Sequence, residues 1–430
     1  MSITTRLAVA LCSALALAPA LAGSGPPGSP AVGPGEAPLT LAAARQKALA
    51  ASPDLQGLAA RLRGAEGAER QAGAFPNPEL LFEVEDLGGG DDMGVATQRT
   101  LSLGQRFEWP GTRSARTAAA RHERDAAARD LDRGRRDLLA EVERRFVALL
   151  GAQERVVIAG QNAATAREVT LVVASLVEAG EASPVEAARA ESDEALAVID
   201  LGNARRDADL ARGRLASLWG DEGTTAAAAR GALATSVELP DLEAALATVG
   251  ALPDLARWDA ERTRRDALVA LADRQALPDL TLSVGTRTYA GLPGRTWVAG
   301  LALPVPLFNR FAGARAEATA RRQEAEAERI SEEARLRAEV AAAHTTLSSA
   351  LDEVRILRDQ VLPRAERVYS ALDEGYRRGK FRLLDLLEAR RALAQTRLRF
   401  VDALVRLNTA GADLRRLTPD TAGEEHGVAP

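Results

Sequence analysis

The sequence has few of the residues that usually build catalytic or metal-binding centres. Its 430 residues include one cysteine, two methionines and three histidines, and aromatic residues make up only 3%. His122, His344 and His426 are isolated, so neither a paired-histidine site nor a soft-metal ligand cluster is expected. The glycines at 88–90 are not followed by the Gly-Lys-Ser/Thr of a phosphate loop. We therefore expect no enzyme activity, no cofactor and no bound metal.

The charge pattern and the lack of long apolar runs narrow the class of protein further. The net charge is −5 and basic residues alternate with acidic ones, so we expect no nucleic-acid partner. Beyond the N-terminus, no stretch of 18 uncharged apolar residues could form a transmembrane helix. What the sequence has in abundance is Ala, Arg and Glu, the composition of long helices.

The first 22 residues have the pattern of a secretory signal peptide. Arg6 precedes an apolar run that ends in small residues at Ala20-Leu21-Ala22. The only cysteine, Cys12, lies inside this run after Leu11 and is not placed for lipidation. Residues 23–38 are predicted to be a Pro/Gly linker and residues 418–430 a flexible tail.

The rest of the chain is an internal repeat of one unit. "SPDL" at 52–55 matches "LPDL" at 252–255, and the strand-like runs that begin at Leu101 and Leu301 share this offset of 200. Gly180 and Gly379 are offset by 199. We define repeat 1 as 39–219, a connecting equatorial segment as 220–240, and repeat 2 as 241–417.

Each repeat contains a predicted strand hairpin, at about 78–109 and 278–308. Apolar and polar residues alternate through both, and in repeat 2 the alternation continues through Val305 and Leu307. Eight of the fifteen aromatic residues fall in or beside these hairpins, as interfacial girdles of membrane strands require. We predict membrane-girdle positions at Phe82, Phe107, Trp109 and Trp297. A soluble half-buried hairpin is the alternative.

Four strands cannot close a membrane barrel, because known barrels need at least about eight strands. If the hairpins are embedded in outer-membrane lipid, the chain must oligomerise, and three copies would supply twelve strands. Long helices are predicted at about 113–219 and 313–417. Large apolar residues recur every seven positions, at Leu386, Leu393, Phe400, Leu407 and Leu414. The residue three positions after each of them is most often alanine, and this pairing of large and small residues is typical of the seam between antiparallel coiled-coil helices.

The sequence resembles the TolC family of outer-membrane efflux proteins. The similarity rests on the repeated strand–helix plan, "PNPEL" at 76–80, the corners "WPGTRSAR" and "FNRFAGARAEA", and "RRGKFRLLDLLEARRAL". The branch it resembles is the outer-membrane component of cobalt–zinc–cadmium-type heavy-metal pumps. The resemblance implies a mainly α-helical homotrimer with a twelve-stranded barrel in the outer membrane of a Gram-negative bacterium. A helical tunnel would extend from this barrel into the periplasm.

The resemblance also assigns roles to the two helical hairpin tips, which close the tunnel in that family. Tyr376 matches a gate tyrosine, whereas Phe381 stands where an arginine is expected. The predicted periplasmic gate comprises Tyr376, Arg377, Arg378, Glu186 and Asp385. The predicted adaptor-docking tips comprise Gly180, Ser183, Gly379, Lys380 and Arg382.

The resulting functional prediction is a passive exit duct. It would serve a tripartite, proton-driven efflux system with a periplasmic adaptor protein and an inner-membrane RND-type pump, and its expected cargo is heavy-metal cations. The alternatives are a duct for drugs or for type I protein secretion, and a soluble periplasmic coiled-coil scaffold.

Overall fold

A computed structural model describes residues 39–86, 97–221 and 228–418 of the chain. The expected signal peptide, the expected linker and residues 419–430 of the expected tail lie outside this part.

The order of elements in the first half of the chain recurs in the second. The first half contains α1 (Leu41–Ala51), α2 (Pro53–Ala72), β1 (Glu79–Glu85), β2 (Gln98–Phe107), α3 (Thr112–Glu178) and α4 (Pro184–Ala216). The second contains α5 (Leu242–Ala247), α6 (Pro253–Gln275), β3 (Leu280–Tyr289), β4 (Thr296–Ala302), α7 (Ala312–Ile356), α8 (Leu362–Arg377) and α9 (Leu383–Arg416). Mainly α-helical structure with a few strands confirms the predicted fold class.

The lengths of the helices follow from the positions of proline. Helix α3 runs for 67 residues through a proline-free stretch, which corresponds to roughly 100 Å at 1.5 Å per residue. Helices α7 and α8 would form a comparable rod, but a π-helical turn at Leu357–Val361 joins them. Pro363 follows this turn; a proline lacks an N–H and its ring crowds the carbonyl four residues earlier, which explains the local widening.

The four strands form one antiparallel sheet in the order β1-β2-β3-β4. Its register places most of the large apolar side chains on one face. Leu103 lies opposite Val284, and Leu282 lies opposite Leu301. The other face carries Glu83, Thr100 and Arg287, among others. No described helix covers the apolar face, and many of its large side chains are exposed, including Leu80, Phe82, Leu101, Leu103, Leu282, Trp297 and Leu301.

Strand β4 is shorter than the alternation in the sequence predicts. It ends at Ala302, and the apolar residues at 303, 305 and 307 lie beyond it. The β3 register explains this end: Ala302 pairs with Thr281, almost the first residue of β3, so later residues have no strand to pair with on that side. The prediction of a strand through Leu307 is wrong for the single chain.

The corner between β2 and α3 packs against the segment that leads into β3. The Trp109 N–H donates to the Asp279 carboxylate at 3.2 Å, and Arg106 lies 3.9 Å from the same carboxylate. Gly111 turns the chain with φ of 94°, a backbone conformation that favours glycine.

The helices pack through alternating large and small residues, as the heptads predict. Leu386, Leu393, Leu407 and Leu414 are buried, and so are Ala190, Ala197 and Ala403. Close approach is most evident between α3 and α9, where a Cβ added to Gly151 would lie 2.3 Å from Val405. Among the described residues, no helix combines the length and apolarity needed to cross a membrane.

Candidate gate at the helical hairpin tips

The two helical hairpins end in turns of the same construction. Gly180 and Gly379 adopt left-handed backbones with φ of 73° and 70°. The next residue closes each turn: the Glu181 N–H donates to Leu176, and the Lys380 N–H donates to Gly375, both at 2.8 Å. Glycine is required at these positions because side chains with a Cβ adopt this conformation only at a cost.

The predicted gate carboxylates of both tips cap the returning helices. The Ser183 N–H donates to the Glu186 carboxylate at 3.0 Å, and the Ser183 hydroxyl accepts from the Glu186 N–H at 3.3 Å. At the second tip the Arg382 N–H donates to the Asp385 carboxylate at 3.3 Å, and the Arg382 side chain pairs with the same group. Each carboxylate also lies at a helix N-terminus, where the helix dipole favours negative charge.

Tyr376 lies half-buried between the two hairpins. It packs on a buried cluster formed by Val169, Val173, Ala190, Leu383, Leu386 and Leu387. Burial raises the pKa of Tyr376 above its usual range, and the Glu186 carboxylate adds to the shift. The phenol is therefore neutral and able to donate. Within the described residues its hydroxyl makes no hydrogen bond.

The neighbouring arginines form ion pairs within the single chain. Arg377 binds Glu168 of α3 at 2.8 Å and Asp373 at 3.2 Å, and these pairs raise its pKa. Arg378 binds Glu374 at 2.5 Å. Arg377 therefore connects α8 to the first hairpin, whereas Arg378 makes a contact within α8.

Phe381 has a packing role at the position where the resemblance implied an arginine. Its ring covers Gly375, and a Cβ at Gly375 would lie 2.3 Å from the ring. Gly375 is buried as a result. A phenyl ring cannot make the ion pair of an arginine, so the positive charges at this tip come from Arg377, Arg378, Lys380 and Arg382.

A buried ionic cluster connects the hairpins above the tips, and sequence reasoning missed it. Asp193 of α4 pairs with Arg390 of α9, and both side chains are at least 96% buried. Arg391 binds the same carboxylate at 2.7 Å, and Arg390 donates to the Asn162 carbonyl and side-chain oxygens at 2.8 Å. The signal that could have revealed it is the position of Asp193 on α4, between the buried alanines Ala190 and Ala197.

The other predicted positions are on the surface of the single chain. The docking residues Gly180, Ser183, Gly379, Lys380 and Arg382 are exposed at the tips. The girdle residues Phe82, Phe107 and Trp297 are exposed on the sheet, and Trp109 is exposed at the corner after β2. Among the described residues, no group of three or more His, Cys, Asp or Glu side chains is arranged to hold a metal ion.

A family comparison agrees with this architecture. Residues 44–221 and 250–418 match the family described as "Outer membrane efflux protein". The chain belongs to this family. The two matched ranges correspond to the two halves of the repeated fold.

Individual relatives of the efflux family cover most of the chain. It is 33% identical over 380 residues to the cobalt-zinc-cadmium resistance protein CzcC of Cupriavidus metallidurans, covering 88% of this chain and 90% of CzcC. It is 29% identical to the nickel and cobalt resistance protein CnrC of the same organism, covering 62% and 63% of the two chains.

A solved outer membrane channel has the same fold. The open state of the MtrE outer membrane channel of Neisseria gonorrhoeae superposes with a TM-score of 0.72. The match covers 88% of each chain at 19% sequence identity. This chain therefore has the fold of an outer membrane channel.

Proposed function

We propose that three copies of this chain form the outer-membrane exit duct of a tripartite efflux system for heavy-metal cations. The observation that carries the cargo assignment is the 33% identity to a cobalt-zinc-cadmium resistance protein over 90% of its length. The free edges of β1 and β4 support assembly, because an open sheet edge in lipid leaves backbone groups unsatisfied at several kcal/mol each.

The duct acts as a passive conduit, without catalysis. An inner-membrane RND-type pump supplies the energy and a periplasmic adaptor opens the duct. The exposed tip residues Gly180, Ser183, Gly379, Lys380 and Arg382 form the adaptor-docking surface. The aromatic residues Phe82, Phe107, Trp109 and Trp297 lie at the levels of the lipid headgroups, and repeats 1 and 2 each contribute one membrane hairpin and one part of the tunnel wall.

The gate lies at the tips. Arg377 already links α8 to α3 through Glu168, and the neutral Tyr376 has a free donor facing this region. In the trimer Tyr376, Arg377 and Arg378 bind carboxylates of adjacent helices, and Glu186 and Asp385 surround the inner opening in three copies. Acidic rings of this kind attract cations.

A deletion of the gene in its own bacterium tests the cargo. We expect lower minimal inhibitory concentrations of Co²⁺, Zn²⁺ or Cd²⁺ and a higher cellular metal content, with both defects restored by the wild-type gene. Sensitivity to hydrophobic drugs and the amount of secreted protein serve as controls. If only drug sensitivity or secretion changes, the duct carries a different cargo and the metal assignment is wrong.

A further inference from the structure

The residues after β4 form an exposed apolar segment with no partner in the single chain. Residues 303–308 read Leu-Pro-Val-Pro-Leu-Phe, and Phe308 is 99% exposed. Leu303, Val305 and Leu307 are exposed as well. The N–H of Leu307 donates to the carbonyl of Val305 at 2.9 Å, a local contact in place of a strand ladder. β1, at the other edge of the sheet, also exposes Leu80 and Phe82.

The chain contains its own template for how these two edges would meet. Strands β2 and β4 occupy equivalent places in the two halves, and so do β3 and β1. The β2–β3 pair is therefore the internal equivalent of a β4–β1 pair between two copies. In the internal pair β2 runs on to Phe107, which lies opposite Leu280. The equivalent of Phe107 at an offset of 200 is Leu307.

We infer that residues 303–307 continue β4 when β1 of a second copy pairs with it, in the register of β2 and β3. This inference rests on the trimer proposed above. The register places Leu307 opposite Leu80, Val305 opposite Phe82 and Leu303 opposite Val84 of the second copy. All three cross-strand pairs are apolar, and they continue the apolar face of the sheet.

The direction of the backbone groups agrees with this register. The Ala290 N–H donates to the Thr97 carbonyl at 2.9 Å. The backbone N–H and C=O groups of odd-numbered residues in β2 therefore point toward β3, and those of even-numbered residues point toward β1. When this alternation is continued across the sheet, the backbone groups of odd-numbered residues in β4 face the free edge of β4. Those of even-numbered residues in β1 face the free edge of β1. The inferred pairs join odd-numbered with even-numbered residues, as hydrogen bonding between these edges requires.

The two prolines of the segment occupy the positions where a missing N–H does no harm. Pro304 and Pro306 are even-numbered, so their nitrogens face the side of β3, where no strand remains to accept a bond. Leu303, Val305 and Leu307 keep their N–H groups directed to the second copy. Proline within a sheet is restricted to such places.

The charges at the two edges are also complementary. Asp279, which binds the Trp109 N–H and Arg106 inside the chain, has Glu79 as its equivalent in repeat 1. Within residues 39–86, 97–221 and 228–418, the side chains of Glu79 and Arg310 make no ion pair or hydrogen bond, and both are exposed. The inferred register brings Arg310 within two residues of the position opposite Glu79 of the second copy.

Disulfide trapping tests the register. The inferred pairing places Phe308 opposite Glu79 of the second copy in a non-hydrogen-bonded pair, with Cα atoms about 4.5 Å apart, which suits a disulfide. In a Cys12→Ser background, Glu79→Cys/Phe308→Cys should give dithiothreitol-reversible covalent trimers after oxidation in membranes. The matched control Glu79→Cys/Leu307→Cys should stay uncrosslinked, because residues 307 and 308 point to opposite faces.

A proline scan tests the same register without cysteine. Val305→Pro removes an N–H directed to the second copy and should lower the trimer fraction in detergent, because each of the three interfaces loses roughly one ladder bond, up to about a tenfold change in the equilibrium constant of that interface. The control Pro306→Val should leave that fraction unchanged. Trimers of the Glu79→Cys/Phe308→Cys variant that form no disulfide, or trimers that tolerate Val305→Pro, would overturn the register and leave the duct intact. Monomers of the wild-type chain in light scattering would instead refute the trimer itself.

Discussion

At the scale of single residues, the hairpins carry ionic contacts of two kinds, exposed and buried. The Arg377–Glu168 and Arg378–Glu374 pairs are at least half exposed, so water screens them and each contributes at most about 1 kcal/mol. Asp193 and Arg390 are nearly fully buried. Removing one partner of such a pair leaves the other charged group without compensation in a low-dielectric environment.

We therefore expect Asp193→Asn to lower the free energy of unfolding by about 3–5 kcal/mol. The measurement is chemical unfolding in detergent, followed by circular dichroism. The matched control Glu374→Gln/Arg378→Gln removes an exposed pair and should cost less than about 1 kcal/mol. Replacing both buried partners, as in Asp193→Leu/Arg390→Met, should recover most of the stability. Equal losses in the buried and exposed variants would contradict this account.

At the scale of elements, the sequence allowed good predictions where the pattern is long and local. The 67-residue length of α3 follows from the absence of proline, and the seam of α9 follows from its heptads. The contacts that depend on three helices at once could not be predicted. Asp193, Arg390 and Asn162 lie on three different helices, and no periodicity reports that they meet. The end of β4 could not be predicted either, because it depends on where its partner strand β3 begins.

The close approach of α3 and α9 gives a test at this scale. Gly151→Ala would place a Cβ 2.3 Å from a methyl group of Val405. We expect a loss of about 1–3 kcal/mol, the usual cost of overpacking, in chemical unfolding. Gly160 lies in the same helix, and a Cβ there would have only Leu201 at 3.9 Å. Gly160→Ala should therefore be neutral or stabilise by up to about 1 kcal/mol. If both substitutions have the same effect, α3 and α9 do not approach so closely.

At the scale of the whole molecule, duplication determines what one chain can complete alone. Each repeat supplies a strand pair and a helical hairpin, and β2–β3 is the only contact of its kind that forms inside the described chain. In the proposed trimer, further copies supply the equivalent contact between β4 and β1 and the closure of the tips around an axis. On this proposal, the unused hydroxyl donor of Tyr376 finds its partner in an adjacent copy.

The tips also allow charge and capping to be separated experimentally. Glu186 and Asp385 cap their helices through backbone N–H groups, so alanine at these positions would remove both the charge and the cap. Gln and Asn keep an acceptor oxygen and remove the charge. In planar bilayers, Glu186→Gln/Asp385→Asn should reduce the preference for cations over anions, because the acidic rings are neutralised.

A second set of channel variants tests closure instead of selectivity. Tyr376→Phe with Arg377→Gln and Arg378→Gln removes the donors that we propose hold the tips together, so we expect higher single-channel conductance. Lys380→Gln is the control, because this exposed residue lies in the same turn without a side-chain ion pair among the described residues. If conductance in the triple variant equals that of the control, Tyr376, Arg377 and Arg378 do not form the gate. Because the two sets of variants change different residues and different quantities are measured, either result can fail while the other holds.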